Sequence, residues 1–157
     1  MRVRDWMTTD VATVGPSTDV ADARRLLRDR GVRHLPVVDG GRVVGMISDR
    51  DVRISEASLH QVAERMAAVS RDKLAAAVGV GLVVESVMSA PPHVITPDEP
   101  IEAAARLMLS RRISALPVVD DAGAVVGMVT TTDCLLAFLT PADEPPSPTE
   151  SGRSQER

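Results

Sequence analysis

Two rhythms of apolar positions run along the chain, and each occurs twice. Val20, Ala23 and Leu27 recur at helical spacing, and Ile101, Ala104 and Met108 repeat that spacing further on. This predicts two helices, each with one buried stripe. Pro100 suits the first turn of the second helix, where a missing N–H costs little. Short apolar stretches at residues 11–14 and 93–95 read as strands that precede the helices, closed by Pro16 and Pro97. After the first helix, runs at 35–38 and 43–47 flank Asp39-Gly40-Gly41, a strong hairpin signal. Asp120-Asp121-Ala122-Gly123 serves the same purpose later, and Ser48 and Thr130 then open a further helix in each half. Each half therefore reads as strand, helix, strand, strand, helix.

The halves are copies. Residues 81 positions apart correspond: Trp6-Met7-Thr8 with Val87-Met88-Ser89, Pro16 with Pro97, and Leu35-Pro36-Val37-Val38-Asp39 with Leu116-Pro117-Val118-Val119-Asp120. Beyond the hairpin turn the offset becomes 82, so that Gly45-Met46-Ile47-Ser48 meets Gly127-Met128-Val129-Thr130 and Asp51 meets Asp133. A single insertion confined to a turn is what surface loops tolerate.

These features divide the chain into repeat 1 (residues 1–54), a helical linker (55–84), repeat 2 (85–139) and a tail (140–157). Ser58-Leu59-His60-Gln61 is a capping-box pattern that starts the linker helix, with an interruption near Ser70 and a stop at Gly79. The tail, rich in proline and charge and without apolar period, reads as disordered.

Composition narrows the function. Trp6 and Phe138 are the only aromatics among 157 residues, so aliphatic side chains must build the core. Stacking platforms for single-stranded nucleic acid are absent from such a composition. A net charge of −4 and the lack of a basic stripe argue against a duplex partner. Cys134, the lone cysteine, excludes an intrachain disulfide and a thiolate metal cluster. The first residues carry no apolar signal core, and the longest apolar run (74–84) falls short of the ~20 residues of a membrane span, so a cytoplasmic protein is expected.

Val3-Arg4-Asp5-Trp6-Met7-Thr8, the doubled h-P-V-V-D before a hairpin, and the doubled G-h-h-S/T-x-x-D resemble the motifs of the CBS domain family, named after cystathionine β-synthase. The second opening, Glu85-Ser86-Val87-Met88-Ser89, is a weaker version. The resemblance covers about residues 2–54 and 85–139. It implies an α+β fold of two β-α-β-β-α repeats, packed about a pseudo-twofold axis into one module. It further implies frequent homodimers, and two clefts for adenosyl effectors such as AMP, ADP, ATP, S-adenosylmethionine or cyclic dinucleotides, with no cofactor required.

The residues suit such ligands. Asp51 and Asp133 have the lone pairs to accept both hydrogens of a ribose diol. Ser48 and Thr130 stand at helix starts, where unpaired N–H groups and the dipole favour phosphate, and Gly45 and Gly127 would let a ligand approach the backbone. The adenine would lie between aliphatic walls, from Val11, Thr13, Val14, Leu35 and Pro36 in one unit and Val94, Ile95, Leu116 and Pro117 in the other. The bland alternative makes Ser48-x-x-Asp51 and Thr130-x-x-Asp133 plain helix caps, and the two readings can coexist.

The sites are not equivalent. Arg33-His34 and Arg50 in the first unit correspond to Ser114-Ala115 and Thr132 in the second. The first site is thus expected to prefer a phosphorylated adenosine, and the second to be empty, weak or suited to a less anionic ligand, although packing about a shared middle would let Arg33 serve either. His60 and His93 read as surface or packing histidines, Cys134 as a core residue, and Arg24, Arg25, Arg28 and Arg30 as a solvated face. Met46, Met66, Met108 and Met128 read as core filler, and Trp6 as an anchor for the opening segment. The leading expectation is a non-catalytic sensor that signals to an unknown regulated protein. The alternatives are a dimerisation or interaction module with degenerate clefts and, ranked lowest, an enzyme, for which no nucleophile-base pair or Walker-type loop is visible.

Overall fold

The computed structural model describes residues 1–67 and 81–140. A 3-10 turn (Val3–Asp5) leads through a loop to α1 (Val20–Arg30), β1 (His34–Asp39), β2 (Arg42–Ser48) and α2 (Asp49–Ala67). A second 3-10 turn (Val84–Ser86) starts the other repeat, followed by α3 (Ile101–Arg111), β3 (Ala115–Val119), β4 (Val125–Thr130) and α4 (Thr131–Leu139). The fold is α+β, with two antiparallel hairpins of matching register: Leu35 pairs with Ile47, and Leu116 with Val129. Both carry a register irregularity at the same place, after Val37 and after Val118. Gly40 and Gly41 supply the positive φ angles of the first turn, while Asp120 Oδ1 accepts from the Ala122 and Ala124 N–H groups to shape the longer second one.

The predicted stripes face inward. Val20, Ala23 and Leu27 are buried on α1, as are Ile101, Ala104 and Met108 on α3. Asp19 caps α1 by accepting from the Ala21 N–H at 2.7 Å, whereas Pro100 occupies the cap position of α3 without a side-chain bond.

Three local expectations change. The opening strands shrink to single parallel bridges, Val14 with Val37 and Ile95 with Val118, because only those two residues reach the neighbouring strand with both backbone groups. Ser58 does not start a helix: its hydroxyl donates back to the Ile54 carbonyl at 2.9 Å, and α2 runs through it unbroken. The sites suggested at Ser70 and Gly79 and the tail beyond Thr140 lie outside the described residues.

The repeats are joined by a reciprocal exchange. Thr8 of the first repeat forms an antiparallel bridge with Met128 of the second, and Ser89 of the second forms the same bridge with Met46 of the first. Val3, fully buried, belongs to the core of repeat 2, and Val84, equally buried, to the core of repeat 1. The unpaired N–H at the start of each helix is met the same way: Val20 donates to the Leu82 carbonyl at 2.8 Å, and Ile101 to the Met1 carbonyl at 3.3 Å.

This exchange gives Gly45 and Gly127 their role. A Cβ on Gly45 would stand 2.5 Å from Met88 Sδ and 3.1 Å from the Ser89 carbonyl oxygen; on Gly127 it would meet Met7 Sδ and the Thr8 oxygen at the same distances. The glycines therefore make room for the methionine of the opposite repeat, not for a ligand as the motif alone suggested. Gly45→Ala is expected to lower unfolding free energy by about 1–3 kcal/mol through overpacking. In a Met88→Ala background the same change should cost no more than about 0.5 kcal/mol. Urea denaturation of the four proteins in the cycle measures both, and equal costs in the two backgrounds would refute the clasp.

Candidate functional site

The start of α2 is locked by its own side chains. Asp51 Oδ2 accepts from the Ser48 N–H at 2.9 Å and from the Ser48 hydroxyl at 2.7 Å, while the Asp51 N–H donates to Ser48 Oγ at 3.2 Å. Thr130 and Asp133 form the same closed box at the start of α4. The plain-cap reading is therefore physically present in both repeats. The Asp49 N–H is also taken, by the Arg33 carbonyl at 3.0 Å. Fewer N–H groups remain for an anion than the motif suggested, because Ser48 and Arg33 already satisfy two of the first three. Asp51 Oδ1, by contrast, has no partner among the described residues and stays available to a sugar hydroxyl.

Asp51 borders a cleft of about 750 Å³ built from both repeats. Of the residues singled out from sequence, the structure brings together Arg33, His34, Ser48, Arg50 and Asp51 from repeat 1 with Ser114 and Ala115 from repeat 2. The two sides touch where His34 Nε2 lies 3.3 Å from Ser114 Oγ.

The other candidates lie elsewhere. Leu35 and Leu116, with Val14 and Ile95, are buried in the two cores, while Pro36 and Pro117, next along their strands and so on the opposite face of each hairpin, are buried as well, and none of the six lines this cleft. Val11, Thr13 and the exposed Val94 do not line this cleft, and neither do Thr130, Thr132 and Asp133 at the start of α4. The wall beside Asp51 comes instead from Pro91, Pro92 and His93 of repeat 2, because the exchanged segment after Ser89 runs along β2 of repeat 1. His93, read from sequence as a packing or surface histidine, thus sits on the cleft wall. Its signal could have been found by asking which segment the doubled opening motif delivers to the opposite repeat.

Sequence reasoning also missed Arg53 and Arg112. Four arginines (33, 50, 53 and 112) line the cleft against the carboxylates of Asp49 and Asp51. Only Arg53 has an acidic partner among the described residues, Asp49 at 3.7 Å. The cleft therefore carries an excess of positive charge in a chain that is acidic as a whole.

The remaining candidates behave as structural residues. Arg24, Arg25, Arg28 and Arg30 are exposed and paired with carboxylates, and His60 pairs with Glu64 one helical turn on. Burial, and then the Asp133 carboxylate, hold the Cys134 thiol above its ordinary range, which keeps it an inert core group. Trp6 packs its ring against the core of repeat 2, with its indole N–H buried and without a partner among the described residues. Among the described residues no cluster of His, Cys, Asp or Glu could hold a metal ion, and no helix is long and apolar enough to cross a membrane.

Comparison with known proteins gives the cleft a context. The CBS domain model matches residues 3–57 and 84–140. The CBS domain-containing protein YhcV of Bacillus subtilis is 34% identical over 83% of this chain and 81% of its own length. Inosine-5'-monophosphate dehydrogenase of Korarchaeum cryptofilum is 30% identical over 84% of this chain, which spans only 23% of that protein. Among solved structures, CBSX2 in complex with AMP aligns with TM-score 0.69 and 33% identity, covering 88% of this chain and 96% of its own; CBSX2 is an Arabidopsis thaliana protein. The CBS domain pair of protein MJ0100, in complex with 5'-methylthioadenosine and S-adenosyl-L-methionine, aligns with TM-score 0.70 and 27% identity over 88% of this chain and 95% of its own.

Burial lowers the pKa of His34 from its ordinary 6.5, and Arg33 pushes the same way, while Asp49 and Asp51 oppose. A depressed histidine favours folding while neutral, so its contribution is present above pH 6.5 and is lost as pH falls through the lower folded value. The melting temperature of the unliganded protein is accordingly expected to fall more steeply between pH 7 and 5.5 than that of His34→Gln. Parallel melting curves for the two proteins would exclude this.

Proposed function

Because the chain belongs to the CBS domain family, we propose that it is a non-catalytic regulatory module whose Asp51 cleft binds a phosphorylated adenosine. One observation carries the reading: the free oxygen of Asp51 and an excess of arginines share a cleft assembled from both repeats. Asp51 Oδ1 would accept from the ribose hydroxyls. Guanidinium groups of Arg33 and Arg50 would hold the phosphate by charge-assisted bonds, in place of the helix-start groups already engaged. Pro91, Pro92 and Met46 offer the apolar walls for the base. The AMP-bound CBSX2 supports this ligand class. A sulfonium ligand such as S-adenosylmethionine would bring another positive charge to a cleft that already has a surplus, and is disfavoured here.

The Asp133 side is the weaker site. Asp133 is only 8% exposed where Asp51, in an equivalent capping box, is half-buried, and its loop offers Thr132 where the first has Arg50. Because both repeats wall the Asp51 cleft, a bound ligand would favour one packing of the pair over others, and a partner could read that state. Dimerisation fits the same picture. Ile54 and Leu59 on α2 and Leu135, Phe138 and Leu139 on α4 are exposed apolar side chains that association of two copies would cover. They also favour a second reading, a dimerisation module whose clefts no longer bind.

Thermal shift separates the two readings. At 100 times its dissociation constant a ligand adds ~2.7 kcal/mol, a rise in melting temperature of about 5–10 °C at this size. AMP, ADP or ATP is expected to give such a rise, S-adenosylmethionine little, and Asp51→Asn none at the same concentrations. No shift with any nucleotide, or an undiminished shift in Asp51→Asn, would leave the dimerisation module as the better account.

A further inference from the structure

We propose that Arg112 makes the Asp51 cleft select nucleotides with more than one phosphate in line, an inference that rests on the nucleotide reading above and narrows its ligand class. Arg112 ends α3 in the left-handed region, at φ 55° and ψ 42°. The first repeat has glycine at the corresponding position: Gly31 ends α1 at φ 62° and ψ 29°. The two caps are otherwise alike. The Arg112 N–H is directed at the Leu109 and Met108 carbonyls, as the Gly31 N–H is at those of Arg28 and Leu27. Glycine adopts this conformation without penalty, whereas a residue with a Cβ does not. The cap thus gains nothing from an arginine, and Arg112 is the one non-glycine residue with positive φ among those described.

What the side chain gains is a place on the cleft wall. Arg112 approaches from repeat 2, two residues before Ser114, whose hydroxyl meets His34 beside Arg33. Arg33, just before β1, Arg50, on α2, and Arg112, just after α3, thus reach the cleft from three separate segments, and none has an acidic partner among the described residues. A sugar held by Asp51 leaves these three guanidinium groups to the phosphates. A phosphate monoester presents three terminal oxygens, which two fork-to-fork guanidinium contacts already engage. A third guanidinium then finds its acceptors on a second or third phosphate in line. Strain held at a ligand cleft, where an unstrained residue was available, points to selection for the side chain.

Isothermal titration calorimetry with AMP, ADP and ATP in magnesium-free buffer tests this on the full chain, on Arg112→Gly and on Arg112→Asn. Glycine relieves the backbone, and asparagine tolerates it without the charge. The unaltered protein is expected to bind ATP and ADP at least tenfold more tightly than AMP. Both variants are expected to lose about tenfold more affinity for ATP and ADP than for AMP, and Arg112→Gly should melt at a higher temperature. A preference that survives in the variants, or AMP bound as tightly as ATP by the unaltered protein, overturns the role of Arg112 alone. If none of the three nucleotides binds, the nucleotide reading itself fails, and the role of Arg112 with it.

Discussion

Neither hairpin of this protein is complete without the other repeat. Each is flanked on one side by a single residue of its own chain segment and on the other by the opening segment of its counterpart, and each core closes over a valine borrowed across the pseudo-twofold axis. Burying a valine side chain is worth about 1.5–3 kcal/mol. Either half alone would leave the place of that valine in its core unfilled. The cleft inherits this dependence, for its floor comes from one repeat and much of its wall from the other.

Much of the fold was legible because its determinants are local. Helix stripes, the Asp39-Gly40-Gly41 turn and the caps at Ser48 and Thr130 are written in consecutive residues, and the doubling made each one firmer. What failed were inferences that needed a knowledge of partners. Ser58 has the spacing of a cap, yet in the middle of a formed helix its hydroxyl bonds backward, a choice decided by the turn already present on its N-terminal side. Residues 11–14 and 93–95 have strand composition, but strand pairing depends on a neighbour that only Val14 and Ile95 reach.

The same limit applied to the cleft. Arg33, His34, Ser48, Arg50 and Asp51 could be gathered from sequence because they flank one strand-to-helix junction or its hairpin partner. His93 and Arg112 were not gathered, since they arrive from the second repeat through the exchange and through a helix end. Glycine at the head of the G-h-h-S/T motif was misassigned for a related reason. Its missing Cβ signals a close approach, and only the folded chain tells whether a ligand or a methionine makes that approach.

The uninterrupted course of α2 carries a mechanical corollary. Its 19 residues form a rod of about 28 Å at 1.5 Å per residue, with the capping box of Asp51 at one end. A tilt of about 5° at its cleft end would sweep its far end through about 2 Å. The shorter α4, with nine residues, has no comparable reach. Two units of shared ancestry have therefore come to differ in leverage as well as in charge, and a displacement begun at Ser48 is felt farther away than one begun at Thr130.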